Sequence, residues 1–332
     1  MCPLYREIIN RSIYNKSLAE LYNQSFTGTD YNNRYLCRMF YRRKLILAII
    51  QSFGGQLEKI KLQKLLFLFS EKQIKQEYDF VPYKYGCYSF SASADIKTMI
   101  AKGLLKESEA SYLKEDKADF IKTLKESDRK VLLYIKNLFG SMDSSALIKH
   151  TYINYPYYAI NSIVAKNVLS NDQFDKVVST RSQEVDIVLF TIGYEGISLE
   201  EYLNRLVKNN VRLLVDVRRN PLSMKFGFSK SLLIKYCNSL GIKYIHIPEV
   251  GIQSDMRQEL HTQADYDKLF EHYKREELSK TLECQQKILS LLIENKRIAL
   301  TCFEKDIFQC HRKHLAESIC ALPEFNYKLK HI

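Results

Sequence analysis

The stretch Asp186–Pro221, DIVLFTIGYEGISLEEYLNRLVKNNVRLLVDVRRNP, decides the fold. DIVLFTIG is a continuous apolar run that stops at glycine, the mark of a strand buried on both faces. SLEEYLNRLVKNN has helical periodicity, with Ser198 placed to cap it and Glu201 three residues on, a capping-box spacing. VRLLVDVR is a second buried strand. Downstream, KSLLIKYCNSLG predicts a helix ended by Gly241, KYIHIPEVG a third strand, 263–295 one long helical stretch, RIALTCFE a fourth strand and CHRKHLAESICAL a last helix. Such alternation implies βαβ units around a mostly parallel sheet, so the fold class expected for 186–332 is Rossmann-like α/β.

Upstream the pattern is different. Residues 44–166 predict a mostly helical domain. KLILAIIQSF is apolar along a helical face and is broken at Gly54-Gly55; in KIKLQKLLFLFSEKQ, Leu62, Leu65, Leu66 and Phe69 recur at helical spacing. DFVPYKYGCYSF is turn-rich, and ADIKTMIAKGLL is a helix ended by Gly103. Residues 107–125 have room for a short hairpin. Helix pair, helix and hairpin are the parts of a winged-helix-like domain, although periodicity alone does not separate this from a helical bundle. Residues 1–43 form a polar lead-in whose end is basic (Arg34, Arg38, Arg42, Arg43, Lys44), and 167–185 is the expected linker.

The chain has 332 residues, 46% of them apolar, which bounds it to a globular protein of two domains. Its longest apolar runs, such as Leu45–Ile50, fall far short of the roughly 20 residues of a membrane span, and its N-terminus has no signal-peptide core. The eight cysteines contain no CxxC pair. They are expected as thiols in the cytoplasm, with no metal and no cofactor. Net charge is +12: residues 1–180 hold 27 basic and 18 acidic side chains, and 181–332 hold 23 and 20. A basic excess concentrated in the first half points to an anionic partner, nucleic acid with DNA favoured, alongside a protein partner or a second copy of the chain.

In an open parallel sheet ligands bind beyond the carboxyl ends of the strands. That rule selects Tyr194 and Glu195 after the first strand, and Asp216, Arg218 and Arg219 after the second. His246 and Glu249 follow the third. Cys302, Glu304 and Asp306 follow the fourth, with Cys310, His311 and Arg312 opening the next helix. GYEG brings a helix N-terminus and two glycines to an anion, without a full dinucleotide fingerprint. Glu195 in that turn suits acid/base work or a sugar hydroxyl. Asp216 either forms an internal salt bridge with the arginines or shares acid/base duty with Glu195, the arginines holding phosphate. That sharing requires their two strands to be neighbours. Cys310 at a helix N-terminus beside Arg312 suits a nucleophile of lowered pKa; the same turn also suits phosphate, or a metal held by Cys302, Cys310, His311 and His246.

Read together in this order, TIGYEG, DVRRNPLS, FS before a helix, GIKYIHIPEVG, LTCFEKD and CHR resemble the bacterial family called domain of unknown function 488, over about 186–320. That family implies a compact Rossmann-like α/β domain. IPEVG stands where a PELG-type turn is expected, so Glu249 and Gly251 fit and Val250 does not. KIKLQKLLFLF, FVPYKYGCYSF and the helix ending KGLL look like the Panacea or SocA-like antitoxin-associated domain over about 44–106, with Cys87 where proline is usual. Its context implies genetic-conflict systems and antiviral defence.

The expected function is therefore a DNA-processing enzyme of a defence system, with hydrolytic (glycosidic or phosphodiester) chemistry in the C-terminal domain. Glu195, Asp216 and Cys310 are the candidate catalytic residues. Tyr194, Arg218, Arg219, His246, Glu249, Cys302, Glu304, His311 and Arg312 are the candidate binding residues. The alternative is a non-catalytic, antitoxin-like regulator whose cleft senses a nucleotide or modified base.

Overall fold

The computed structural model describes residues 39–253, 256 and 260–332. Arg34, Arg38 and most of the lead-in lie outside the described residues. The chain is a mixed α/β protein with a five-stranded parallel sheet in its C-terminal unit.

The N-terminal unit runs α1 (Tyr41–Ser52), β1 (Gln56–Glu58), α2 (Lys59–Ser70), β2 (Val81–Tyr83), β3 (Gly86–Tyr88), α3 (Phe90–Ala101), β4 (Leu105–Glu107) and β5 (Ser111–Lys114). α4 (Glu126–Phe139), α5 (Ser144–Asn154), α6 (Ala165–Val168) and α7 (Asn171–Ser179) follow. β1, β5 and β4 form an antiparallel sheet in that order, so the hairpin expected within 107–125 exists but begins earlier, at Leu105. The expected linker is largely helical, because Ser170 caps α7 with a full capping box to Gln173. Leu45–Ile50 of α1 and Leu62, Leu65, Leu66, Phe67 and Phe69 of α2 make the core. Lys64, on the same helix, is also buried: its ammonium donates to the carbonyls of Tyr85 and Cys87 and ties α2 to the β2–β3 hairpin. Burial pulls its pKa down. The hairpin turn takes glycine because Gly86 has φ +88°, and a Cβ there would meet the Tyr152 ring at 2.4 Å.

The C-terminal unit runs β6 (Val188–Gly193), α8 (Leu199–Lys208), β7 (Leu213–Asp216), α9 (Lys230–Ser239), β8 (Lys243–His246), α10 (Gln263–Glu276), α11 (Leu282–Asn295), β9 (Arg297–Cys302), α12 (His311–Cys320) and β10 (Lys328–His331). The sheet order is β10-β6-β9-β7-β8. Alternate residues of each strand face opposite layers. Phe190, Ile192, Leu214 and Ala299 pack with α8 and α9. Leu189, Leu213, Val215, Ile298 and Leu300 pack with α10, α11 and α12 on the other face. The long helix expected over 263–295 is two helices, split by a 3-10 turn at Leu278–Lys280 that sends Leu278 into the core and binds its carbonyl to Gln285 at 2.7 Å. Ser198 caps α8 as expected, accepting the Glu201 N–H at 3.0 Å, but the Glu201 side chain pairs with Arg205 instead of closing the box.

The two units share buried surface. Val81 and Phe90 belong to the same core cluster as α8 and α9, with Tyr83 and Tyr88 packed against it. Among the described residues no helix is long and apolar enough to cross a membrane.

Candidate functional site

Register explains why the chosen residues meet. Gly193 of β6 lies opposite Cys302 of β9, Thr301 of β9 opposite Asp216 of β7, and Asp216 opposite His246 of β8. All four strands are parallel, so their carboxyl ends open on one edge. β9 stands between β6 and β7, however. The strands of Glu195 and Asp216 are not neighbours, which removes the geometric premise for a shared acid/base pair.

Asp216 is fully buried and its carboxylate is engaged on both oxygens. Oδ1 accepts from the Arg218 backbone N–H (3.1 Å) and Nε (2.8 Å); Oδ2 accepts from Arg218 Nη2 and from the Tyr244 hydroxyl (2.7 Å). Arg218 spends its remaining donor, Nη1, on the Tyr194 hydroxyl at 2.7 Å and the Phe228 carbonyl at 2.9 Å. Burial works against the guanidinium charge, but the bonds and charge of Asp216 outweigh it, so Arg218 is held above its ordinary pKa. The internal salt bridge is thus the arrangement observed. The Tyr194 ring stacks on Phe228, centroids 4.2 Å apart and planes 8° apart, and burial raises its hydroxyl pKa.

Arg219 is exposed, and its Nη1 donates to the Pro248 carbonyl over a long 3.3 Å. Glu195 is exposed too; its Oε2 accepts the Lys305 N–H at 3.0 Å, across to the loop after β9. His246 contacts the Arg218 carbonyl through Nε2 (2.8 Å) and Lys230 through Nδ1 (3.2 Å), and does not join the cluster of Cys302, Glu304, Cys310 and His311. Glu249 is exposed on a 3-10 turn, Pro248–Val250. Asp306 caps the next turn by accepting from Phe308 N–H at 2.8 Å.

Cys302, Cys310, His311 and Arg312 are buried. Arg312 donates to the carbonyls of Glu304 (2.5 Å) and Lys305 (3.3 Å), pinning the loop before its own helix, rather than facing outward to phosphate. The Cys310 thiol is shifted upward, not downward as expected: burial raises it, the Cys302 neighbour raises it further, and Arg312 only partly offsets them. His311 Nε2 meets the Val217 carbonyl at 3.1 Å, and its Nδ1 lies 3.6 Å from Cys302 Sγ; Glu304 Oε2 accepts from the same sulfur at 3.0 Å. Gly193 makes this possible, since a Cβ on it would sit 1.9 Å from the Glu304 carbonyl oxygen.

A cleft of about 310 Å³ opens here, lined among others by Tyr194, Arg218, Arg219, Ser223, Cys302 and Phe303. A larger cavity, about 730 Å³, lies at the opposite, amino-terminal edge of the sheet near Arg212, Lys243 and Lys296. The smaller cleft is the better site, because the acid, thiol and imidazole groups converge beside it. Tyr244, Phe228 and Phe303 were not singled out by sequence. All three lie in the stretches that carry the family resemblance, but as ring side chains without a charge or thiol they give no chemical signal of a site.

No curated protein matches the chain. Residues 198–319, the segment that contains most of these strand-end groups, match the family described as Domain of unknown function DUF488.

Proposed function

We propose that the protein acts on nucleic acid, holding one nucleotide or nucleoside unit in the cleft at the carboxyl edge of the parallel sheet for hydrolytic cleavage. The observation that carries this reading is the cleft itself. An exposed cation, Arg219, bonded among the described residues to the Pro248 carbonyl alone, stands beside an aromatic wall of Tyr194 and Phe303. Its volume, at the low end of the roughly 300–1,000 Å³ of ligand pockets, suits one such unit rather than a polymer. Glu195 is the acid/base group in this reading. Asp216, with every strong acceptor position engaged, positions Arg218 and through it Tyr194.

The N-terminal unit supplies the polymer contact. Its order of helix, strand, helix, helix and two strands, with β1 beside β5, supports the winged-helix-like reading, the β2–β3 hairpin being an insertion. Lys97 and Lys102 are exposed on and just after α3, whereas the amino end of that helix is covered by the C-terminal unit. The basic excess of residues 1–180 and the resemblance of 44–106 to the antitoxin-associated domain support a defence role.

The test is fluorescence anisotropy with duplex and single-stranded DNA across a salt series, followed by product analysis after long incubation. Binding that weakens steeply with salt is expected, and Glu195→Gln and Arg219→Ala should abolish or strongly reduce product formation in folded protein. Turnover unaffected by both changes would remove the site assignment; no binding at low salt would remove DNA. The second reading, a regulator without turnover, draws on the junction of α3 with α8, which links the polymer-contacting unit to a helix entered directly from the cleft turn. Binding without any product favours it.

A further inference from the structure

We propose that Cys302, Glu304, Cys310 and His311 form a binding site for a zinc-type divalent ion at the wall of the cleft. Their four ligand atoms lie within 4.8 Å of one another. Zinc bonds of about 2.0–2.3 Å in a tetrahedron place ligand atoms roughly 3.3–3.8 Å apart. The Cys302 sulfur already stands 3.0 Å from Glu304 Oε2 and 3.6 Å from His311 Nδ1, so small adjustments suffice.

Independent features converge on the same geometry. The His311 ring is fixed by Nε2–H donation to the Val217 carbonyl at 3.1 Å, the outer-sphere bond that directs Nδ1 toward a metal. Tyr273 packs edge-on against that ring at 5.6 Å. Arg312 and the side-chain-free Gly193 fix the Glu304 backbone, and Cys310 and His311 begin α12, so the ligands come from a strand end and a helix start rather than from one mobile loop. Two thiolates and an imidazole select zinc-like ions over magnesium or calcium. Three ligands are buried and Glu304 is half-buried. Cys302 also lines the cleft. Glu304 is thus the exchangeable ligand, and the ion faces the ligand-binding side. The set differs from the one sequence suggested: Glu304 takes the place of His246. It rests on these distances and not on the proposed nucleic-acid function, and its readout is metal binding alone.

The full chain, reduced and stripped with chelator, is titrated with cobalt(II) and then zinc. The expected result is one cobalt per chain with an intense thiolate-to-cobalt absorption and a tetrahedral visible spectrum, both abolished by stoichiometric zinc. Cys302→Ser and Cys310→Ser should lose the thiolate band or much of it. Glu304→Gln should keep it with affinity lowered, since the two thiolates and the imidazole remain in place. Where a cysteine variant does not fold, the unmodified protein and Glu304→Gln decide. No thiolate band in folded, reduced protein, or wild-type affinity in both cysteine variants, would overturn the site. So would a Cys302–Cys310 disulfide at full occupancy in freshly purified protein, which would mark the pair as a redox couple instead.

Discussion

The carboxylate of Glu200, the second residue of α8, accepts the backbone N–H of Ser91 at 2.7 Å, across the junction between the two units. It also accepts from the hydroxyls of Ser89 (3.1 Å) and Ser91 (2.9 Å). A buried acid from one unit therefore caps the first turn of a helix in the other, where helix N–H groups have no partner of their own.

Glu200→Ala should cost about 2–4 kcal/mol in urea or thermal unfolding, from three lost bonds and a void. Glu200→Gln should stay within about 1 kcal/mol near neutral pH, since an amide keeps the acceptor for Ser91 N–H and donates to the Ser91 hydroxyl. Burial lifts the Glu200 pKa against the pull of its hydrogen bonds. The folded protein thus holds an extra proton between the ordinary glutamate value and the raised one. Its contribution is complete below the ordinary value and lost as pH rises through the folded one. Wild type should gain on Glu200→Gln as pH falls through that window; a pH-independent difference would refute the shift.

Asp216→Asn should destabilise by about 3–5 kcal/mol, because it leaves the Arg218 guanidinium buried beside a neutral amide. Arg218→Met removes the opposite charge and should cost a similar amount. The double variant should recover part of the loss, and a double-mutant cycle in chemical denaturation measures the coupling. Additive losses would mean the pair is not coupled.

Gly193→Ala puts a methyl group 1.9 Å from the Glu304 carbonyl oxygen, with backbone rather than a flexible side chain in the way. A loss of about 1–3 kcal/mol is expected from the forced shift. Cobalt affinity should fall with it, since the same shift moves a ligand. Unchanged melting temperature and metal affinity would show that the loop gives way freely.

Cys284 and Cys320 are half-buried, whereas Cys87, Cys237, Cys302 and Cys310 are buried. Among these six, brief alkylation of native protein followed by mass spectrometry should label the first two first. Rapid, selective labelling of Cys310 would restore the nucleophile reading that its upward-shifted pKa disfavours.

Periodicity makes four of the five strands of the sheet legible: the inner β6, β7 and β9 are buried apolar runs ending at a glycine or a polar group, and the half-exposed edge strand β8 is short and closed by the turn at Pro248–Gly251. β10 was missed: KLKH is a polar edge strand with no such run. β1, β2 and β3 have three residues each, too few for a two-residue period to show. The split between α10 and α11 carries no glycine or proline, and only the burial of Leu278 explains it. At the site, the residue types at the strand ends were legible but strand order was not. The order decides that Cys302, and not Asp216, flanks Gly193, that Asp216 is sealed by Tyr244, and that Glu304 rather than His246 joins the thiols.

The placing of β9 between β6 and β7 bears on synthesis. Both partners leave the ribosome some 80 residues or more before the strand that joins them. Until Arg297–Cys302 emerges, β6 and the β7–β8 pair offer unpaired apolar edges and the cleft lacks the side formed by Cys302 and Phe303. Such long-range pairing is slow, and exposed edges invite association. A nascent chain stalled before residue 297 would be a client for a chaperone, and a fragment ending there would carry most of the candidate side chains with none of their geometry.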